Sequence, residues 1–179
     1  MSKRFTEKAE KALNSSVKIA EDFGHTYVGT EHILLSLLAD EETCASFILK
    51  KRLVSFDRLY KTIVDYGGRR VKSSLSVNDL TPRGRDVLEA SYNNSLKYGD
   101  GVIGTDHILL SILDEKNSVA VKLLKIMGTD ISPIKNELMV FLKSKERNIK
   151  KESISFISWL WQLRFFYYLC KHPSETSIL

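Results

Sequence analysis

Apolar residues recur at spacings of three and four from the start of the chain, at Phe5, Ala9, Ala12, Leu13, Val17, Ala20 and Phe23. That is the stripe of an amphipathic helix of about five turns. Gly24 stands just past its end, where a left-handed cap suits glycine. Thr30 reads as the N-cap of a second helix, its hydroxyl accepting from an orphan backbone N–H. Ile33, Leu34, Leu35, Leu37 and Leu38 then cover nearly every side, which predicts a buried spine. A third helix is expected over Glu42–Lys51 with Phe47, Ile48 and Leu49. A fourth is expected over Ser55–Tyr66, with Phe56, Leu59, Ile63 and Val64 inward. No stretch alternates with a period of two, so the fold class is all-α.

Displacing the sequence against itself by 75 residues superposes Phe5-Thr6 on Leu80-Thr81, Leu13 on Leu88, Ser16 on Ser91 and Gly24 on Gly99. Residues 28–38, VGTEHILLSLL, then fall on 103–113, IGTDHILLSIL, with eight of eleven positions identical. Such self-similarity marks two structurally equivalent units. The expectation is two tandem four-helix repeats related by a pseudo-twofold, over 1–66 and 80–142. The last helix of the second starts near Asp130 and carries Ile131, Ile134, Leu138 and Met139. Pro133 is tolerated in its first turn, where no intrahelical N–H is lost. Residues 67–79, rich in Gly, Ser and charge, read as a mobile linker.

Charge narrows the partners. The chain carries +5 formally, but from Lys143 onward seven Lys/Arg face three Asp/Glu, leaving 20 basic and 19 acidic residues in 1–142. A balanced body does not suit phosphate-backbone binding, so no nucleic-acid role is expected. Cys44 and Cys170 have no pairing pattern and point to a reducing compartment. The N-terminus lacks the apolar core of a signal peptide, which points to the cytoplasm or an organelle interior.

Catalytic chemistry finds no foothold. Gly24-x-x-x-x-Gly29-Thr30 and its copy at Gly99 lack the lysine of a phosphate-binding loop and follow no strand. Glu31-His32 and Asp106-His107 are sequence neighbours, about 100° apart on a helix, and do not converge on a metal. No serine or cysteine sits in a motif with a histidine. A non-enzyme with no catalytic residue, metal or cofactor is expected.

Two readings of the repeated Gly-Thr-Glu/Asp-His motif stand side by side. In one it only starts a helix: threonine caps, and the acid at the first position meets the positive end of the helix dipole. In the other, an exposed carboxylate accepts a two-pronged guanidinium bond, while nearby helix N-termini and a threonine hydroxyl hold an anion.

The stretches Arg4-Phe-Thr-Glu-Lys-Ala, Gly24-His-x-x-Val-Gly-Thr-Glu-His-Ile-Leu-Leu, Thr81-Pro-Arg and Gly104-Thr-Asp-His-Ile-Leu-Leu resemble the Clp repeat domain. That domain forms the N-terminus of ClpC- and ClpA-type AAA+ unfoldases, and ClpC is the nearer match. The resemblance covers about residues 3–142. It implies a module that docks adaptor and substrate proteins for a hexameric ATPase, in cis or in trans, inside the cytoplasm or a plastid-type organelle. It also implies that Glu31 contacts the guanidinium of phosphoarginine, a degradation mark. Asp106 holds the equivalent place one methylene shorter, and Thr6 and Thr81 are the candidates for the phosphate end. No phosphate loop of an ATPase module follows residue 142, so the alternative is a stand-alone helical scaffold or sequestering protein.

The basic segment 143–152 reads as a solvated helix end or linker. Of residues 154–170, 13 of 17 are apolar or aromatic. Arg164 and the many aromatics speak against a bilayer span. Interfacial membrane contact, packing on the repeats or on a second copy, and sequence without a selected role remain as readings of that tail.

Overall fold

The computed structural model describes residues 4–67, 74–99 and 101–148. Helices α1 (Glu7–Asp22), α2 (Thr30–Ala39), α3 (Cys44–Lys51) and α4 (Phe56–Gly67) form the first repeat. A 3-10 turn (Val77–Asp79) leads into α5 (Pro82–Lys97), α6 (Thr105–Asp114), α7 (Val119–Ile126) and α8 (131–148). The architecture is all-α, two tandem four-helix repeats. The tail reading of 154–170 lies outside the described residues. Among the described residues, no helix is long and apolar enough to cross a membrane.

The all-round apolar pattern of the second helix is matched by its burial. Thr30–Leu38 of α2 and Thr105–Leu113 of α6 are buried throughout. α1 lies along α2 and α5 along α6, and the two spines touch each other. One continuous core runs through both repeats, from Ala9, Leu13 and Phe23 to Ile134, Leu138 and Leu142. The fourth-helix residues Leu59 and Ile63 are buried, with Phe56 and Val64 packed against them. Phe47 of α3 is 66% exposed instead, on the face opposite Ile48 and Leu49.

Chain reciprocity interlocks the halves. The residues before α1 pair with those before α6: Ile103 N–H donates to Arg4 O (2.9 Å) and Thr6 N–H to Ile103 O (2.9 Å). The residues before α5 pair with those before α2 in the same way, Val28 N–H to Asp79 O (2.9 Å) and Thr81 N–H to Val28 O (3.0 Å). Helix α3 of the first repeat packs on α6 of the second, and α7 packs on α2. Arg58 of α4 donates to Met127 O at the end of α7 (2.6 Å). The second part of the segment read as a mobile linker is pinned: Leu75 N–H donates to Glu21 Oε1 (2.7 Å), and Ser76 and Asp79 cap each other. Hydrogen bonds to α1 and within the 3-10 turn hold this largely exposed stretch despite its Ser-rich composition.

Caps match the sequence in part. Thr6 accepts from Ala9 N–H (3.2 Å) and Thr81 from Gly84 N–H (3.1 Å), so both are N-caps. Gly24, at φ 66°, closes α1 with the two reversed bonds of a Schellman turn, Gly24 N–H to Glu21 O and His25 N–H to Ala20 O. Thr30 is not the cap of α2. Gly29 is, and Gly29 N–H donates to Nδ1 of His32 (2.9 Å), as Gly104 N–H does to His107 (3.0 Å). A helix that buries its first turn satisfies the cap N–H with a side chain from inside, and a histidine three residues on reaches it.

The Thr30 hydroxyl instead accepts from Ala120 N–H (3.2 Å), 90 residues away, adding a second acceptor to the first turn of α7, whose N-cap is Ser118. Thr30→Ala removes that acceptor and leaves a buried amide unmet. Thermal unfolding of the variant should show a loss of about 1–2 kcal/mol, with Thr30→Ser restoring most of it.

Twin clefts where three helix starts meet

The reciprocal backbone pairs lie beside helix N-termini that meet in threes. One cleft, of about 540 Å³, is lined by Gly29, Thr30 and Glu31 at the start of α2, Thr81, Pro82 and Arg83 at the start of α5, and Val119 at the start of α7. Its twin, of about 340 Å³, is lined by Gly104, Thr105 and Asp106 of α6, Thr6, Glu7 and Lys8 of α1, and Thr43 and Cys44 of α3. The four residues singled out in the sequence are thus paired across repeats, Glu31 with Thr81 and Asp106 with Thr6. Spacing along the chain gave no means of choosing those pairs.

Neither carboxylate is exposed, contrary to the expectation from a helix start. Glu31 is 4% exposed and Asp106 5%. Each is the second residue of its helix, and each folds back over the glycine before it. A Cβ on Gly29 or Gly104 would meet the carboxylate as it lies here, so a larger residue would displace that side chain. Burial is compensated differently in the two. Asp106 Oδ1 accepts from His107 N–H (3.0 Å), and Oδ2 meets Lys145 Nζ (3.4 Å). Glu31 Oε2 is buried with no hydrogen-bond partner. Burial holds the Glu31 carboxyl above its ordinary range, against a smaller opposing pull from its own backbone N–H. The helix starts that line the cleft add partial positive charge, about half a unit each.

His32 lies beside Glu31 (3.6 Å) but does not form an ion pair with it. Burial, followed by repulsion from His25, brings the His32 pKa down to about 3, so the ring is neutral. Its Nδ1 accepts from Gly29, which leaves the proton on Nε2 facing His25 Nδ1 at 2.8 Å. The Schellman turn after α1 is what delivers His25 to this point, stacked on Phe23 and Tyr27. One ligand atom each from His25, Glu31 and His32 lies within 4.8 Å of the others. Sequence spacing gave no sign that His25 joins the adjacent pair. The set nonetheless does not suit a metal: a ligating imidazole offers a bare nitrogen and donates its other N–H, whereas both nitrogens of His32 are committed the opposite way. Burial, with the charge of Asp106 opposed by that of Lys145 and then reinforced by that of Glu137, pushes the Cys44 thiol up to about 12, so it is no nucleophile at neutral pH.

What the clefts can do is bind. Thr81 uses its oxygen to accept from Gly84, so its O–H remains a donor. Arg83 N–H belongs to the unbonded first turn, and its guanidinium lines the same wall. Tyr27, 42% exposed, adds an aromatic edge to the cleft. Arg83 and Tyr27 escaped the sequence reading, although Arg83 stands inside the Thr81-Pro-Arg stretch. A third depression, between α3 and α8, is apolar and carries the exposed rings of Phe47 and Phe141.

Comparison with known proteins follows the same lines. The profile described as "Clp repeat (R) N-terminal domain" matches residues 4–127 and 79–157. The negative regulator of genetic competence ClpC/MecB of Bacillus subtilis is 33% identical over 143 residues, 80% of this chain and 18% of that protein. The chloroplastic chaperone ClpC2 of Arabidopsis thaliana is 34% identical over 139 residues, 78% of this chain and 15% of that protein. The chain therefore spans less than a fifth of these relatives. In fold it is similar to the N-terminal domain of Arabidopsis thaliana ClpD, with a TM-score of 0.66 at 22% identity, covering 78% of this chain and 95% of that one. It is also similar to a ClpV N-domain in complex with a VipB peptide, with a TM-score of 0.61 at 17% identity, covering 79% and 88%. Two repeats, their order and their identity to these relatives place the chain in the Clp repeat N-terminal domain family.

Proposed function

We propose that the chain is a non-catalytic docking domain that presents proteins to a Clp-type AAA+ unfoldase, and that the cleft at Glu31 receives a phosphoarginine side chain. The observation that carries this reading is the buried Glu31 Oε2 without a partner. Leaving a buried charge-bearing oxygen unmet costs stability, and such a cost is understandable where a ligand donor completes the site. A guanidinium suits it: planar, permanently charged and able to donate two parallel bonds to one carboxylate. The ring of Tyr27 at the same cleft offers a face to that cation. On the remaining wall the Thr81 hydroxyl, Arg83 and the positive ends of α5 and α7 suit the phosphate, with Asp86 at the same wall as an opposing charge. Opposite charges of one ligand thus meet opposite charges of one cleft.

The ATPase that would use the delivered protein lies in cis or in trans, since the curated relatives are several times longer than this chain. The near-neutral body favours protein rather than nucleic acid as partner. Relatives from a bacterium and a chloroplast favour the cytoplasm or a plastid-type interior as the place of action.

Titration calorimetry with an arginine-phosphorylated peptide, against the unmodified peptide, tests the reading. Only the modified peptide should bind, and Glu31→Ala should weaken it by about 1.5–3 kcal/mol, with Tyr27→Ala weakening it less. Equal affinity for both peptides, or an unaffected Glu31→Ala, rules the assignment out.

A stability measurement gives the opposite sign. Because the folded state raises the carboxyl above its unfolded pKa, Glu31 lowers stability at neutral pH, and the penalty fades as pH falls through the raised value. Glu31→Gln should therefore melt higher than wild type at pH 7, by on the order of 1 kcal/mol. The difference should shrink on acidification.

A further inference from the structure

The two clefts are built from residues 75 apart, yet only one carboxylate is left unmet. Among the described residues no Lys or Arg comes within ion-pair distance of Glu31. In the twin cleft, Lys145 of α8 reaches Asp106 Oδ2 at 3.4 Å with its side chain 34% exposed. The other oxygen of Asp106 is spent on His107 N–H. We infer that Lys145 is a built-in occupant of the second cleft, standing where a ligand guanidinium would otherwise sit, so that the chain takes one arginine-type ligand rather than two. This inference rests on the phosphoarginine reading of the first cleft.

The physical case has three parts. A lysine ammonium carries the same charge as a guanidinium, and two cations at one buried carboxylate repel strongly where water is scarce. Its effective concentration is high, because it is attached to a helix packed into the same core through Leu138 and Leu142. One oxygen of Asp106 is already engaged by His107 N–H, so Lys145 takes the oxygen that remains. The second cleft is the smaller one, and Val102, the counterpart of Tyr27, does not line it. A simple ion pair of structural value would look similar in distance, so the readout has to be ligand stoichiometry. Stability alone does not discriminate, because a structural ion pair and an occupying lysine offset the burial of Asp106 alike.

Calorimetry with an arginine-phosphorylated peptide on the full chain separates the outcomes. Wild type should bind one equivalent, lost in Glu31→Gln and kept in Asp106→Asn. Lys145→Ala should bind two, and Glu31→Gln/Lys145→Ala should recover one site at least tenfold above the Glu31→Gln background. Lys145→Arg, which keeps the charge, should still bind one. Two equivalents on wild type, or an inert Glu31→Gln/Lys145→Ala protein beside a wild type that binds one, overturns the inference while sparing the first cleft. A wild type that binds none overturns the phosphoarginine reading itself, and the inference with it. Circular dichroism melts within a few degrees of wild type show that each variant is folded.

Discussion

Three helix starts line each cleft, and their partial positive charges offset part of the cost of burying a carboxylate among them. This mutual compensation is the constraint on which the rest of the structure depends. It lets Glu31 and Asp106 stay at 4% and 5% exposure at the starts of the most buried helices in the chain. Their neighbours fit it: each carboxylate folds over the glycine before it, and the histidine after it meets the glycine N–H from inside. The repeated motif starts a helix, with glycine rather than threonine as its cap, and sets a buried carboxylate at the edge of a cleft.

Reciprocity between repeats follows from the same convergence. No repeat owns its cleft; each is walled by the start of its own spine helix and by two starts from the other half. The backbone pairs at Phe5–Ile103 and Val28–Leu80 hold that exchange in register, and Thr30 secures it by accepting from the first turn of α7. Stability and binding then pull in opposite directions at one residue. An unmet buried oxygen weakens the fold, and a ligand that donates to it recovers the loss. In the second cleft Lys145 has already done so, at the expense of openness.

The repeat, the helical class and the spine were legible because they are written in local periodicity and in a self-match of eight positions in eleven. Gly24 was legible because caps act within four residues. What was missed acts at distance. The bond that Thr30 accepts spans 90 residues, Lys145 lies 39 residues from Asp106, and His25 reaches His32 only through the turn that Gly24 makes. The exposure expected of Glu31 failed for a related reason: a helix start is a surface feature only when nothing docks on it, and here two other helices do.

Carbon-13 NMR of the Glu31 side-chain carboxyl, followed through a pH titration with and without phosphoarginine, addresses the central claim directly. The account requires a free protein in which Glu31 takes up its proton at higher pH than its surface carboxylates. It requires that midpoint to fall when ligand is present, because a guanidinium stabilises the ionised form. A Glu31 resonance that titrates in the ordinary range, or whose midpoint ignores a ligand that demonstrably binds, contradicts it.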